Sequence, residues 1–167
     1  LGDVYKRQDL LEKMTNMEML AIPPEKGEMG GNFSSYDRNS SYDPSTDTYS
    51  QWGANRDCDG YIRMEKDRLV AFEMEGPGVI WRIWSANPQE GHIRIYTENE
   101  QKEKMDMPFR KLFERYAYDE SRVEWPANFP ELMPILSRGR NRFIPIPFNH
   151  YCKAVSYTHL TLPTKLE

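Results

Sequence analysis

The clearest pattern in the chain runs from Arg68 to Ser85. Val70, Phe72 and Met74 alternate with Ala71, Glu73 and Glu75, and Val79, Trp81 and Ile83 alternate with Ile80, Arg82 and Trp84. A period of two marks half-buried strands, because successive side chains leave opposite faces of the backbone. Gly76-Pro77-Gly78 separates the two runs. It suits a tight reversal or a corner between sheets, since glycine reaches φ > 0 without a Cβ clash and proline fixes its own φ. The core is expected to be antiparallel β.

The flanking pattern adds a helix and more strands. Leu10, Met14, Met17 and Ala21 fall at helical spacing, widened by Leu11 and Leu20, so Asp9 to Ala21 is predicted to be a short amphipathic helix with its methionines in the core. Pro23-Pro24 ends it. Ile93, Ile95 and Tyr96 predict a third strand, and Met105 to Phe109 an extended stretch that enters a turn of helix at Phe109 to Phe113. Glu114 to Arg138, punctuated by Pro126, Pro130 and Pro134, reads as a surface crossover. Arg140 to Phe148 alternates around two prolines and fits an edge strand, and Cys152 and Lys153 enter the next one.

From Gly27 to Asp59 no apolar period is found; Gly, Ser, Asn, Asp and Tyr dominate. Loops of that length inside a compact domain are commonly functional or disordered. Tyr36, Tyr42, Tyr49 and Trp52 weigh against a solvated linker, which is normally poor in aromatics. Rings interleaved with Asp, Arg and Asn are what a sugar site needs: an apolar surface for the C–H side of a pyranose or furanose, and polar groups for its hydroxyls. The alternatives are an ordered ligand or subunit-contact loop, and a merely structural or mobile one.

Composition changes the picture mainly at the ends. Asp3 to Gln8 and Val155 to Thr164 match translations of the two transposon adapters used in shotgun library preparation, on opposite strands as an insert between adapters requires. Residues 1–8 and 154–167 are therefore expected to be adapter-derived, and residues 9–153 to be a fragment of a longer metagenomic gene. Excluding Lys6, Arg7 and Lys165 from the 22 basic residues, and Asp3 and Glu167 from the 26 acidic ones, leaves 19 against 24 and a net charge of −5. That balance disfavours a nucleic-acid surface. No apolar run approaches transmembrane length. Cys58 and Cys152 are far apart, and buried free thiols are expected ahead of a disulfide or a metal site.

Five motifs in order then carry a resemblance: Ser34-Ser35-Tyr36-Asp37-Arg38, Trp52-Gly53-Ala54-Asn55-Arg56-Asp57, Glu75 to Trp84, Ile93-Arg94-Ile95-Tyr96, and Ile144-Pro145-Ile146-Pro147-Phe148. Together they resemble the N-terminal part of glycoside hydrolase family 172, formerly domain-of-unknown-function family 2961. Thr97-Glu98-Asn99 departs from the Asp-Gly turn usual there, which leaves the turn type open. The resemblance implies a double jelly-roll protomer that assembles as a homotrimer or hexamer, with active sites near subunit contacts. It implies action on α-D-fructofuranosides, including difructose dianhydride, or on arabinofuranosides, with retention and with two catalytic glutamates in the second half of the chain. Asp37 and Arg38, with Trp52, Asn55 and Asp57, match the family's polar clusters and are assigned to substrate binding or to organising the pocket. The alternative is a buried Asp37–Arg38 ion pair pinning the loop, with Trp52 as a plug over the sheet.

No catalytic pair is assigned within the fragment. Glu73 and Glu75 share one strand face, and Arg82 and Arg94 have the matching parity on the next two strands, so a cross-strand charge ladder is expected ahead of catalysis. His92 and His150 have no companion at metal spacing and read as surface or loop residues, and no Gly-rich phosphate loop is found. Neither cofactor nor metal is expected, and the partner class is an oligosaccharide or furanoside, with no nucleic acid and no membrane. The expected architecture is all-β, a partial jelly-roll β-sandwich with a short N-terminal helix. Its rival in function is a noncatalytic carbohydrate-binding or structural β-sandwich.

Overall fold

The computed structural model describes residues 7–51, 60–88, 91–114 and 130–157. A helix, α1 (Arg7–Thr15), and a 3₁₀ turn at Met17–Ala21 lead into the strands. The first two, β1 (Ser41–Asp43) and β2 (Thr48–Ser50), form a hairpin of their own. Then come β3 (Arg63–Glu65), β4 (Arg68–Glu75), β5 (Gly78–Ile80), β6 (Ile83–Ser85), β7 (His92–Thr97) and β8 (Glu103–Pro108). After a 3₁₀ turn at Phe109–Phe113 follow β9 (Ile135–Leu136), β10 (Gly139–Arg142), β11 (Ile146–Phe148) and β12 (Tyr151–Ser156). Among the described residues no helix is long and apolar enough to cross a membrane.

The main layer is an antiparallel sheet in the order β3-β4-β12-β7-β8, faced by a β11-β5 pair and a β6-β10-β9 sheet. Ile93, Ile95, Met105, Cys152 and Ala154 of the large sheet pack between the layers with Ile146 and Phe148 of β11 and with Leu112 and Phe113 of the second 3₁₀ turn. Burial of two facing apolar surfaces makes this an all-β sandwich, as the alternation predicted. The buried Arg142 guanidinium ties the smaller layer in by donating to the Leu112 carbonyl at 3.2 Å, and burial pushes its pKa down to about 10.

The Gly-Pro-Gly break is a corner rather than a reversal: β4 stays in the large sheet while β5 pairs with β11. Gly76 donates its N–H to the His150 carbonyl at 2.8 Å, and an added Cβ there would come within 2.7 Å of the Asn149 carbonyl oxygen. The run predicted as one strand from Val79 to Trp84 is divided at Trp81-Arg82, and each part serves a different sheet. Arg140 to Phe148 is likewise two strands. Its first part, β10, is a middle strand and not the expected edge, because β6 and β9 flank it. The prolines fall outside β10, and Pro147 sits in the two-stranded pair, where both strands are edges.

Simple alternation also fails inside β4. The register shifts between Ala154 and Val155, so Phe72 lies opposite Ala154 but Val70 opposite Val155. Such a bulge reverses the parity of one strand end. Phe72 therefore packs against the inter-layer core, while Val70 joins Tyr96, Val155 and Tyr157 on the far face.

The helix is shorter than predicted. Asn16 interrupts it, its side chain accepting from the Glu18 N–H at 3.0 Å as a cap for the following turn. Leu10 is fully buried, but Met17 is 76% exposed, so the methionines do not all serve the core. α1 begins at Arg7, inside the stretch expected to be adapter-derived, and β12 runs across the expected boundary at Lys153, with Ala154, Val155 and Ser156 buried in its ladder.

The Thr97-Glu98-Asn99 turn is now defined. Glu98 adopts φ +74, a region that favours glycine. Its carboxylate accepts the N–H groups of Asn149 at 2.7 Å and His150 at 3.0 Å, which ties the β7–β8 turn to the one before β12.

Candidate functional site

The residues predicted to bind substrate begin in a segment without regular structure, Phe33 to Asn39, that lies against β4. Phe33 meets Phe72 edge to face at 4.7 Å between centroids. Three residues on, the Tyr36 carbonyl approaches Gly60 so closely that a Cβ there would lie 1.7 Å from its oxygen. Only glycine fits such an approach. Arg38 locks the same contact: its Nη2 donates to the carbonyls of Ser34 at 3.1 Å and Gly60 at 3.2 Å, and its guanidinium carbon lies 4.1 Å from the Tyr36 ring centroid.

Asp37 is 5% exposed, and its Oδ1 accepts the Asn39 N–H at 2.9 Å while its carbonyl accepts the Ser40 N–H at 3.1 Å. This is an Asx turn, a side chain standing in for backbone. Arg38 itself is exposed, so the two do not form a buried ion pair. The structure thus brings Asp37 and Arg38 to one anchored turn, with Tyr36 beside them and half in solvent. Trp52, Asn55 and Asp57 lie outside the described residues, as does Cys58. Gln51 and Gly60, on either side of those three residues, are described, and Gly60 is the residue that Arg38 grips.

Beyond this turn the hairpin β1–β2 emerges from the stretch that showed no period. Its six strand residues are all exposed. Strands of three residues are too short for alternation to stand out. The usable signal was the Asp43-Pro44 start of a turn, where the Asp43 carboxylate accepts from the Ser45 N–H at 2.9 Å and its hydroxyl at 2.6 Å.

The second polar constellation lies on the far face of the large sheet, and sequence reasoning missed most of it. Lys153 is 2% exposed, and its Nζ lies 2.7 Å from Glu65, 2.8 Å from Glu100 and 3.9 Å from Glu73. Arg63 pairs with Glu73 and holds Glu65 through Nε at 2.8 Å and Nη2 at 2.6 Å. Tyr151 donates to Glu73 at 2.6 Å. The charge ladder predicted for Glu73 exists, but its partners differ. Arg82 bonds Asn141 at 2.9 Å and Arg94 bonds Asp106 at 2.8 Å, because β4 is flanked by β3 and β12 and not by its successors in sequence. His92 is likewise a strand residue, with Nδ1 2.8 Å from Asp106.

These contacts fix the chemistry of the cluster. The Arg63 guanidinium, against the opposing effect of burial, and then the Tyr151 hydroxyl hold the Glu73 carboxyl down at about 2. Lys153 and then Arg63 lower Glu65 as well. Burial works against the Lys153 ammonium, yet Glu100 and Glu65 outweigh it and raise its pKa. A carboxyl so firmly ionised cannot supply the proton that a glycosidic leaving group needs. The arrangement is a structural tie across three strands. Cys152, on the opposite face of β12, is a buried thiol pushed up to about 12 by burial, then by the Glu98 charge, which makes it a poor nucleophile. Among the described residues no group of three or more His, Cys, Asp or Glu could hold a metal ion.

The chain matches the family model described as the GH172 first beta-sandwich domain over residues 26–161, which takes in the anchored turn, both layers and β12. It belongs to glycoside hydrolase family 172. No curated protein and no solved structure matches it. The GH172 match begins after α1 and the first 3₁₀ turn.

Proposed function

We propose that the chain is the first β-sandwich of a retaining glycoside hydrolase acting on α-fructofuranosides or related furanosides. Its catalytic glutamates would lie in a C-terminal half beyond this sequence. The observation that carries this reading is the GH172 match over residues 26–161. In this reading residues 9–153 are native and wind as part of a jelly roll, residues 1–8 and 154–167 derive from adapters, and the parent is a homotrimer or hexamer. Asp37 and Arg38, with Trp52, Asn55 and Asp57, line or organise the sugar pocket.

Physical chemistry supports placing the catalytic pair elsewhere. Retention requires two carboxyls about 5–5.5 Å apart with one protonated. Glu73 and Glu65 are instead held ionised by Arg63 and Lys153. The contribution of this domain is then to present the Phe33–Asn39 turn to a furanose. Arg38 keeps that turn in place, and the exposed Tyr36 ring offers a face to the sugar.

The test is the full open reading frame. It should encode a second sandwich with two inward-facing glutamates, whose Gln variants abolish furanoside hydrolysis. A complete frame without them would leave the noncatalytic carbohydrate-binding reading. The 167-residue chain alone should release no sugar from fructofuranosides or arabinofuranosides, and turnover by it would defeat the placement of the catalytic pair.

A further inference from the structure

We infer that the β9–β10 end of the smaller layer is one half of a contact between copies of this chain, docking through Trp84, Leu136 and Arg138 on an acidic surface of a neighbouring copy. The inference rests on the assembly proposed for the parent and names a surface for it. It is independent of the sugar chemistry.

Charge sets these strands apart. Residues 78–85 and 135–148 contain no Asp, Glu or Lys, and their charged groups are Arg82, Arg138, Arg140 and Arg142. They carry +4 in a chain of net −4, which leaves −8 on the remaining residues. In the large sheet Arg63, Arg94 and Lys153 all meet carboxylates. Among the described residues the exposed Arg82, Arg138 and Arg140 meet none. Arginine and aromatic residues with Asp, Glu and Lys depleted are the composition of the buried part of a protein interface.

The apolar groups at this end face outward. Leu136 opposes Gly139 and Trp84 opposes Asn141, so these share one face, whereas Ile135 opposes Arg140 on the other. Ile135 is 60% and Leu136 56% exposed, so both faces of the hairpin are open and its tip projects. No side chain fits at Gly139, where a Cβ would come 2.5 Å from the Trp84 Nε1 and 2.7 Å from the Ser85 carbonyl oxygen. The indole closes over the strand there and remains 45% exposed. Buried Asn141 donates to the carbonyls of Pro134 at 3.2 Å and Leu136 at 3.1 Å, and its Oδ1 accepts the Arg82 Nε at 2.9 Å, which holds that guanidinium beside the ring's face of the sheet. The turn residues Ser137 and Arg138 have φ 55 and 56. A two-residue hairpin loop with φ > 0 at both positions is normally Asn-Gly, so Arg138 is kept at the tip against backbone preference.

Size and charge choose the occupant. With about 200 Å² for a large side chain, Trp84, Ile135 and Leu136 expose roughly 300 Å², a size at which a patch is often functional. Three exposed arginines extend it toward the roughly 800 Å² that a stable interface takes from each partner. A sugar would cover one ring and leave the rest. Tip against tip about a two-fold axis is opposed by like charge, so the tip has to meet a different, acidic surface, which a second copy supplies. Such a heterologous contact closes into a ring or runs on into a filament.

Sedimentation velocity on the intact chain tests this. It should form a trimer or a larger ring, weakened about tenfold between about 50 and about 500 mM salt by screening of the arginines. Trp84→Ala should weaken assembly about tenfold. Arg138→Gly is the decisive variant, because it relaxes the turn and should leave thermal stability intact or raised while still costing about tenfold in assembly. Lys66→Gly makes the same change at φ 57 in the β3–β4 turn and should leave assembly unchanged. Assembly that Trp84→Ala and Arg138→Gly leave intact overturns this surface and leaves the parent's assembly standing. Equal loss in Lys66→Gly overturns it too, since net charge and not the tip would then be at work. A dimer that goes no further overturns the heterologous arrangement. A monomeric wild-type chain overturns the contact itself, and the parent's own sedimentation then decides its assembly separately.

Discussion

The large sheet and the Gly27–Gln51 segment are held by different forces, and the contrast separates the charge-paired scaffold from the segment proposed to meet the sugar. At the centre of the sheet, β12 has neighbours on both edges, Cys152 and Ala154 in the inter-layer core, and Lys153 amid carboxylates on the far face. Its charged groups are neutralised by one another. The Gly27–Gln51 segment is held by a few discrete contacts: an Asx turn at Asp37, one arginine on two carbonyls, one edge-to-face ring contact and a glycine-sized approach. Its rings stay half exposed. Polar groups in the sheet pair chiefly with one another's charges, whereas Asp37 and Arg38 in the segment bond to backbone N–H and carbonyl groups.

The contrast breaks first if the core is not where the sheet draws its strength. Phe113 is 2% exposed and meets Phe109 edge to face at 5.3 Å. Phe113→Ala should cost about 3–5 kcal/mol in urea unfolding, from lost transfer energy and an unfilled cavity. Next comes a matched removal of charge. Lys153→Ala leaves Glu65, Glu73 and Glu100 facing one another without their shared cation and should cost about 3 kcal/mol. Arg38→Ala removes the same charge from an exposed position that makes two carbonyl contacts, and should cost only about 1 kcal/mol. Equal losses for the two would show that the segment is as integral as the sheet.

Acid should act on the sheet face in a definite direction. The Glu73 carboxyl titrates at about 2 in the fold, below its ordinary value of 4.5. A depressed folded-state pKa contributes stability that is present above the unfolded value and lost as pH falls through the folded one. Unfolding free energy should therefore decline between about pH 4.5 and about 2, and Glu73→Gln should flatten that decline. An unchanged slope in the variant would mean that Arg63 and Tyr151 do not hold this carboxylate in solution.

How much of this was legible follows the range of the interactions. The all-β class, the Gly-Pro-Gly corner as one of two options, β7, β8 and the entry into β12 are all written in local alternation and turn residues. Asp37 and Arg38 were singled out through motif resemblance, but the Gly60 contact that holds their turn spans 22 residues and leaves no local period. The Lys153 cluster was not legible. Glu73 and Lys153 are each visible as polar strand positions, yet their pairing depends on β12 inserting between β4 and β7, which no window of sequence contains. Nor could the bulge opposite Ala154 be foreseen, although it decides which face Val70 takes.

An effect on global stability as small as that of Arg38→Ala is also the sharpest test of the division. Gly60→Ala would set a Cβ 1.7 Å from the Tyr36 carbonyl oxygen, whereas a Cβ on Gly31 meets nothing within 4 Å. Backbone cannot yield by that distance in place, so the Phe33–Asn39 turn has to lift from its seat. Because the turn is held by few contacts, the cost should be near the low end of overpacking, about 1 kcal/mol. Hydrogen exchange should then quicken at Asn39 and Ser40, whose N–H groups serve the Asp37 turn, and remain slow along β12. Gly31→Ala should leave both unchanged. If Gly60→Ala instead speeds exchange throughout β12, the turn and the sheet open as one unit, and the separation of segment from sheet does not hold.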